Sequence, residues 1–269
     1  MSDTVVGLAS TADLPLQCLI ALPLTVEKDL QTMDENTINN TEQQRIYYAQ
    51  TAKKYDLVHD GEGTISLFFL LSAIDYLEIK TILDIGSGTG KVINFLKKHR
   101  PEIDVVGIEP VRELRDIGHS KGIPQDKLIE GDATKLAFPS QSFDMVCEFA
   151  VLHHVKNPDL VVSEMIRLSS KAVFLSDSNN FGQGSYIART IKQMINYFGM
   201  WNIFDIIRTK GKGYHFSEGD GLFYSYSLFN NYKQIKRSCK DVHIFNVTGG
   251  KFDFYKTASG VAFFWSKII

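Results

Sequence analysis

The sequence predicts an α/β protein built on a parallel sheet, and three observations carry that reading. A short apolar run, Thr81-Ile82-Leu83-Asp84-Ile85, passes directly into three glycines on alternate positions, Gly86, Gly88 and Gly90. A helical pattern begins at once, with Val92, Phe95 and Leu96 at i, i+3 and i+4. Further short apolar runs recur at 105–108, 145–149 and 172–175 with helix-like stretches between them, the rhythm of a sheet crossed over by helices.

The chain's overall properties bound what this domain can be. Its 269 residues suffice for one full core with extensions, and 44% apolar with 12% aromatic residues is a globular composition. A net charge of −2 gives no overall basic footprint, so nucleic acid is not an expected partner. Cys18, Cys147 and Cys239 are far apart, form no C-x-x-C pair and read as reduced intracellular thiols, with no metal site expected. No apolar run approaches the ~20 residues needed to span a membrane. The apolar stretch 14–26 follows Asp3 and Asp13 with no Lys or Arg, the wrong charge for a secretory leader. The expected location is therefore cytoplasmic; the oligomeric state is left open. Residues 1–44 read as an N-terminal extension whose polar end, Gln31 to Gln44, is a linker or the start of a capping helix, and 45–269 as the main domain.

The glycine turn narrows the ligand. Glycine reaches the positive φ angles of a sharp strand-to-helix bend and lets a ligand lie against the main chain. A dinucleotide turn reads G-x-G-x-x-G, but Lys91 stands at the third glycine position. A phosphate-cradling loop fails at both ends, where Ile85 and Val92 stand. What remains is Asp-x-Gly-x-Gly-x-Gly. Asp84 suits a cationic amine and would repel a pyrophosphate.

At this point the residues resemble the first motif of the class I methyltransferases that depend on S-adenosylmethionine (SAM), in particular the ubiquinone-type small-molecule members. The resemblance covers roughly Arg45 to Ile269. It implies a doubly wound, seven-stranded, mostly parallel Rossmann-like sheet, with SAM lying over Gly86, Ser87, Gly88 and Gly90. The competing reading of the same residues is a plain strand–helix joint capped by Asp84.

Before the turn, Arg45 to Asp60 is helical in pattern. Tyr47, Tyr48 and Tyr55 either cap the cofactor, as in many members of that family, or simply cover the sheet. Loop 59–63 leads into an apolar helix over 65–77. After the turn, Lys97 to Arg100 and Pro101 end the helix. The second strand ends at Glu109, 25 residues beyond Asp84, which is one βαβ unit. That spacing puts a carboxylate where both ribose hydroxyls can be accepted. Pro110 is placed in the same cofactor site. Asp132 matches the family's adenine-binding acid, with Ala133 by the ring; the alternative for Asp132 is a turn residue. Phe149 closes the fourth strand and is also assigned to the cofactor site.

The run Ala150-Val151-Leu152-His153-His154-Val155 follows and resembles the "LHHV" segment of the ubiquinone-type enzymes. It falls at the carboxyl ends of the strands, where open α/β sheets collect ligands. His153 or His154 can serve as general base, or a histidine there can bond backbone to shape the loop. Asn157-Pro158 reads as a helix start, with Leu160, Val161, Met165 and Leu168 as the buried stripe. The fifth strand, 172–175, ends in a polar cluster where Asp177 and Asn179 are further candidates for substrate contact or for turn formation. A helix then carries Ile187, Ile191, Met194, Ile195 and Phe198 on one side. Residues 201–228, glycines interleaved with aromatics, read as a substrate lid inserted before the sixth strand, or as a surface subdomain with its own small core. A helix from Phe229 to Cys239 and strands near 242–245 and 261–265 give the antiparallel ending that the resemblance implies.

The reading is a SAM-dependent methyltransferase acting on an oxygen, nitrogen or carbon nucleophile of a small metabolite. Its alternatives are a SAM-fold scaffold without turnover, or an enzyme with a protein or RNA substrate.

Overall fold

The computed structural model describes residues 40–59, 64–248 and 260–267. The apolar stretch 14–26, most of loop 59–63 and the Gly249-Gly250 turn lie outside them. The chain runs α1 (Asn40–Val58), α2 (Thr64–Leu77), β1 (Thr81–Ile85), α3 (Lys91–His99), β2 (Asp104–Ile108), α4 (Arg112–Ser120), β3 (Leu128–Ile129) and β4 (Phe143–Phe149). It continues through α5 (Pro158–Leu168), β5 (Ser169–Ser178), α6 (Tyr186–Tyr197), α7 (Trp201–Arg208), β6 (His215–Ser217) and β7 (Gly221–Phe223). It closes with α8 (Tyr232–Ser238), β8 (Cys239–Asn246) and β9 (Gly260–Lys267).

Seven strands form one sheet in the order β3-β2-β1-β4-β5-β9-β8. β1 to β5 are parallel, and β9 runs antiparallel to both β5 and β8. This is the α/β, mostly parallel sheet with an antiparallel ending that the sequence predicts. Strand residues alternate between two cores because successive side chains point to opposite faces. Ile82, Met145, Cys147 and Phe174 pack with Leu70 and Ile74 of α2 and Val92 and Leu96 of α3. Leu83, Ile85, Val146 and Val173 pack with Val161, Met165 and Leu168 of α5 and Ile235 of α8. Stripping a core side chain such as Leu96 down to Ala removes about 2–5 kcal/mol, so the site hangs on a stiff frame.

Several elements differ from expectation. α1 starts at Asn40, inside the stretch read as extension. β5 reaches Ser178, so Asp177 is a strand residue paired with Val261 and not a turn residue. α5 starts at Pro158, but the Asn157 side chain makes no cap; Val162 takes the buried place expected for Leu160, which is 51% exposed. Cys239 opens β8 and does not end a helix. Most of all, no residue of α6 or α7 is buried, so the apolar side of α6 faces outward. The insertion also contains a separate hairpin, β6 with β7, that the sequence reading lacks.

Candidate active site

At the carboxyl ends of β1 to β4 lies a cavity of about 630 Å³, the size of a small-molecule site. Its wall includes Asp84, Gly86, Ser87, Glu109, Pro110, Asp132, Ala133, Phe149 and His154, all named from the sequence, with Tyr55 from α1.

The glycine bend holds positive φ at Gly86 (+67), Gly88 (+56) and Gly90 (+81). A Cβ at Gly86 would lie 2.4 Å from a Val151 methyl, one at Gly88 2.9 Å from the Tyr55 hydroxyl and one at Gly90 2.1 Å from Ile123. The missing side chains thus make room for the protein's own groups. Gly86 and Ser87 line the cavity, while Gly88 and Gly90 are buried outside its lining. The Gly88 N–H donates 2.9 Å to Glu109 Oε2, so the bend and the end of β2 are tied together directly. The second Glu109 oxygen accepts the Val111 N–H at 2.9 Å. Burial raises the Glu109 pKa to about 7, against the pull of these two amides and of Arg115 and Arg45. Asp84 is 1% exposed and accepts from the Ser87 hydroxyl at 2.5 Å and, at 3.7 Å, from the Cys147 thiol. Burial lifts its pKa to about 7 as well. Asp132 uses one oxygen in a turn, accepting from the Thr134 amide (2.9 Å) and hydroxyl (2.7 Å), yet still faces the cavity. Phe149 stacks on Phe174.

α1 answers the question its tyrosines pose. Tyr48 and Tyr55 line the cavity, while Tyr47 is buried against the β6–β7 hairpin, donating to the Glu218 carbonyl at 2.6 Å. The helix is latched across the bend. Thr89 donates to Asp56 at 2.6 Å, and Lys121 reaches Thr89 at 2.8 Å and Asp56 at 2.6 Å.

The two histidines part company. His153 is buried and lies outside the cavity lining; its Nδ1 meets Asp177 Oδ1 at 2.6 Å and its Nε2 lies 3.4 Å from Asp220. Burial disfavours the imidazolium, but Asp177 and Asp220 outweigh it and raise the pKa to about 10. Asp177 also accepts the Leu152 N–H (2.7 Å) and the His153 N–H (3.3 Å), so one buried carboxylate shapes the turn that carries His154. Asn179 is buried and accepts from Ser227, outside the cavity lining.

His154 sits on the cavity. Its Nδ1 lies 2.7 Å from the Leu222 carbonyl, which assigns the proton there, and leaves Nε2 to accept from the Tyr48 hydroxyl at 3.0 Å. Burial and then the His153 charge lower its pKa, so it is neutral near pH 7. Burial raises the Tyr48 pKa well above 10 and keeps the phenol a donor. Asp220 stands 3.2 Å from His154 Nε2; burial raises its pKa, but the hydrogen bond and charge of the His153 imidazolium outweigh that and hold it well below the usual carboxylate range. His153, His154 and Asp220 offer three ligand atoms within 4.8 Å of one another, a cluster able to hold a metal ion. The imidazolium of His153, set between Asp177 and Asp220, already balances charge there. Ala150, just before this turn, holds φ +59, a backbone strain placed at the cavity wall.

Sequence reasoning missed Gln44, Arg45 and Asp220, all on the wall. Gln44 and Arg45 lie at the edge of a polar stretch with no distinguishing pattern. Asp220 sits between Gly219 and Gly221, and only the position of that turn in space gives it meaning.

A family model described as a methyltransferase domain matches residues 83–175, the stretch from β1 to β5. Over that stretch, about a third of the chain, the sequence is similar to methyltransferase domains. An uncharacterised methyltransferase of Schizosaccharomyces pombe is 32% identical over 98 residues, 33% of this chain and 35% of that protein. A phosphatidylethanolamine N-methyltransferase of Cereibacter sphaeroides is 26% identical over 147 residues, 47% of this chain and 66% of that protein. A demethylmenaquinone methyltransferase of Deinococcus radiodurans is 35% identical over 74 residues, 26% of this chain and 31% of that protein. These alignments span from about a third to just under two thirds of the curated relatives' lengths. Among solved structures, phosphoethanolamine N-methyltransferase 2 of Haemonchus contortus, in complex with SAM, shares the fold at a TM-score of 0.59 with 12% identity, over 88% of this chain and 62% of that one. A Pyrococcus horikoshii protein shares it at 0.55 with 15% identity, over 83% of this chain and 99% of that one.

Proposed function

We propose that the chain binds SAM in this cavity and transfers its methyl group to a nucleophile of a small-molecule substrate. The observation that carries the reading is the junction of bend and acid: Glu109 accepts the Gly88 amide and lines a 630 Å³ cavity beside Asp84 and Asp132. This donor set fits the group. Glu109 has lone pairs left for ribose hydroxyls, Asp84 supplies negative charge near a cationic amine, and Asp132 keeps one oxygen outside its turn.

When bound, SAM supplies an electrophilic methyl carbon whose bond to sulfur breaks with the electron pair staying on sulfur. The chain's own part is alignment, exclusion of water and management of one proton. Tyr48, Tyr55 and Asp220 wall the cavity from α1 and the hairpin, which supports residues 201–228 as a cover over the substrate. His154 Nε2, which accepts from the Tyr48 hydroxyl, takes the proton by way of that hydroxyl: the phenol passes its proton to Nε2 and receives the one that an amine, hydroxyl or acidic carbon loses as its new bond to carbon forms. Placing His153 as an imidazolium between two carboxylates supports a positioning role for it and for Asp177. The relatives named for phosphatidylethanolamine and demethylmenaquinone point the search for an acceptor toward amine and quinone substrates.

The test is transfer of label from [methyl-³H]SAM to such acceptors. Turnover with the wild-type chain, reduced about 10²–10⁴-fold in His154→Ala with SAM binding kept, supports the reading. SAM binding with no label transferred to any acceptor class contradicts it and favours a scaffold.

A further inference from the structure

α6 and α7 carry apolar residues of which, among the described residues, most stand exposed, while Ile195, Trp201 and Phe204 are half-buried and Trp201 packs on Phe181. Among the described residues, seventeen large hydrophobic side chains are exposed, and ten of them fall between Tyr186 and Ile207. Ile187, Ile191, Met194 and Phe198 follow i, i+4, i+7 and i+11 along one side of α6, with 71, 50, 55 and 66% of their surface open. On α7, Ile203 and Ile207 are 60 and 70% open, one turn apart. A soluble helix pair normally turns such a stripe to the core; here neither helix buries a residue.

The charge of the same segment says what it faces. From Tyr186 to Lys212 there are five cations (Arg189, Lys192, Arg208, Lys210, Lys212) against one acid, Asp205, a net of +4 in a chain whose total is −2. Asp205 is itself engaged by Ser225 and Arg208, which leaves the surface charge positive. Exposed Tyr186 and Tyr197 add ring-and-hydroxyl side chains of the kind that sit at a lipid headgroup boundary. At 12 and 8 residues the helices are too short to cross a bilayer, and no described helix is long and apolar enough to do so.

We infer that the α6–α7 hairpin is a membrane-docking element that lays its isoleucine-rich face into the boundary of an anionic lipid surface. The hairpin is joined to the cavity's cover. Arg208 reaches His215 of β6 at 2.7 Å and Ser225 at 2.6 Å, and the β6–β7 turn carries Asp220 on the cavity wall. Docking therefore brings the cover of the site to the lipid surface. The inference does not depend on SAM chemistry, and its failure leaves the methyl-transfer reading standing.

The experiment is co-sedimentation of the full chain with phosphatidylcholine vesicles prepared with and without phosphatidylglycerol. The expected result is binding about tenfold or more tighter to the anionic vesicles, weakened by added salt. Ile203→Asp with Ile207→Asp abolishes it while leaving the circular dichroism and unfolding midpoint unchanged, because both sites are exposed. Lys210→Glu with Lys212→Glu reduces it through charge alone. Absence of vesicle binding overturns the inference, as does equal binding to both vesicle types or full binding by the double Asp variant. A wild-type dimer in sedimentation velocity that the same variant converts to monomer assigns the face to a second copy and overturns it too.

Discussion

Replacing Asp177 by Asn removes one buried charge and changes little volume. In the native chain His153 titrates near 10 against 6.5 for a free imidazole, and Asp177 is its nearest partner at 2.6 Å. At about 1.4 kcal/mol per pKa unit, that shift corresponds to about 5 kcal/mol in favour of the imidazolium, supplied by Asp177 and Asp220 together against burial. Breaking a buried pair by deleting one member costs about 3–5 kcal/mol. The sign follows from the raised pKa: the contribution is fully present below pH 6.5 and is lost as pH rises through 10. The variant is therefore expected to lose about 3–5 kcal/mol at pH 7, with the gap to wild type closing above pH 10. Urea unfolding followed by circular dichroism at pH 7 and pH 10.5 measures both. A variant within about 1 kcal/mol of wild type at pH 7, or an undiminished gap at pH 10.5, refutes the charge pair as the support of the His154 turn.

The remaining predictions concern the cofactor end. Glu109→Gln is expected to weaken SAM binding by about 1–3 kcal/mol with little loss of fold, measured by calorimetric titration of the variant. Gly88→Ala forces a side chain into φ +56 and against the Tyr55 hydroxyl at 2.9 Å; a loss of about 1–2 kcal/mol in stability on thermal unfolding is the expected cost of the backbone angle alone. Because burial holds Asp84 and Glu109 near pKa 7 in the free protein, a ligand bringing positive charge and hydroxyl donors favours their ionised forms and expels protons. SAM affinity should then rise with pH up to about 7, and binding heats should differ between buffers of different ionisation enthalpy; identical heats contradict this.

Legibility from sequence follows the range of the interactions involved. β1, the glycine bend and α3 were readable because strand, turn and helix signals sit within twenty residues. Glu109 was readable because a βαβ unit has a nearly fixed length. The cavity's far wall was not: Gln44 and Asp220 meet across 176 residues of chain, where the Gln44 amide donates to the Asp220 carbonyl at 3.2 Å, and no local pattern announces such a contact. The adjacent histidines show the same limit. Sequence places both at the strand ends, but only the buried Asp177 on β5 determines that His153 turns inward and His154 meets the cavity. α6 misled in the opposite way, since an amphipathic period reports an apolar face and not what covers it.

The central claim is that the cavity beside the Gly86–Gly90 bend is built for SAM. Titration of the full chain with SAM in a calorimeter tests it most directly. One-to-one binding that Glu109→Gln weakens is the predicted result. No heat at any practical SAM concentration, or an affinity indifferent to Glu109, contradicts it.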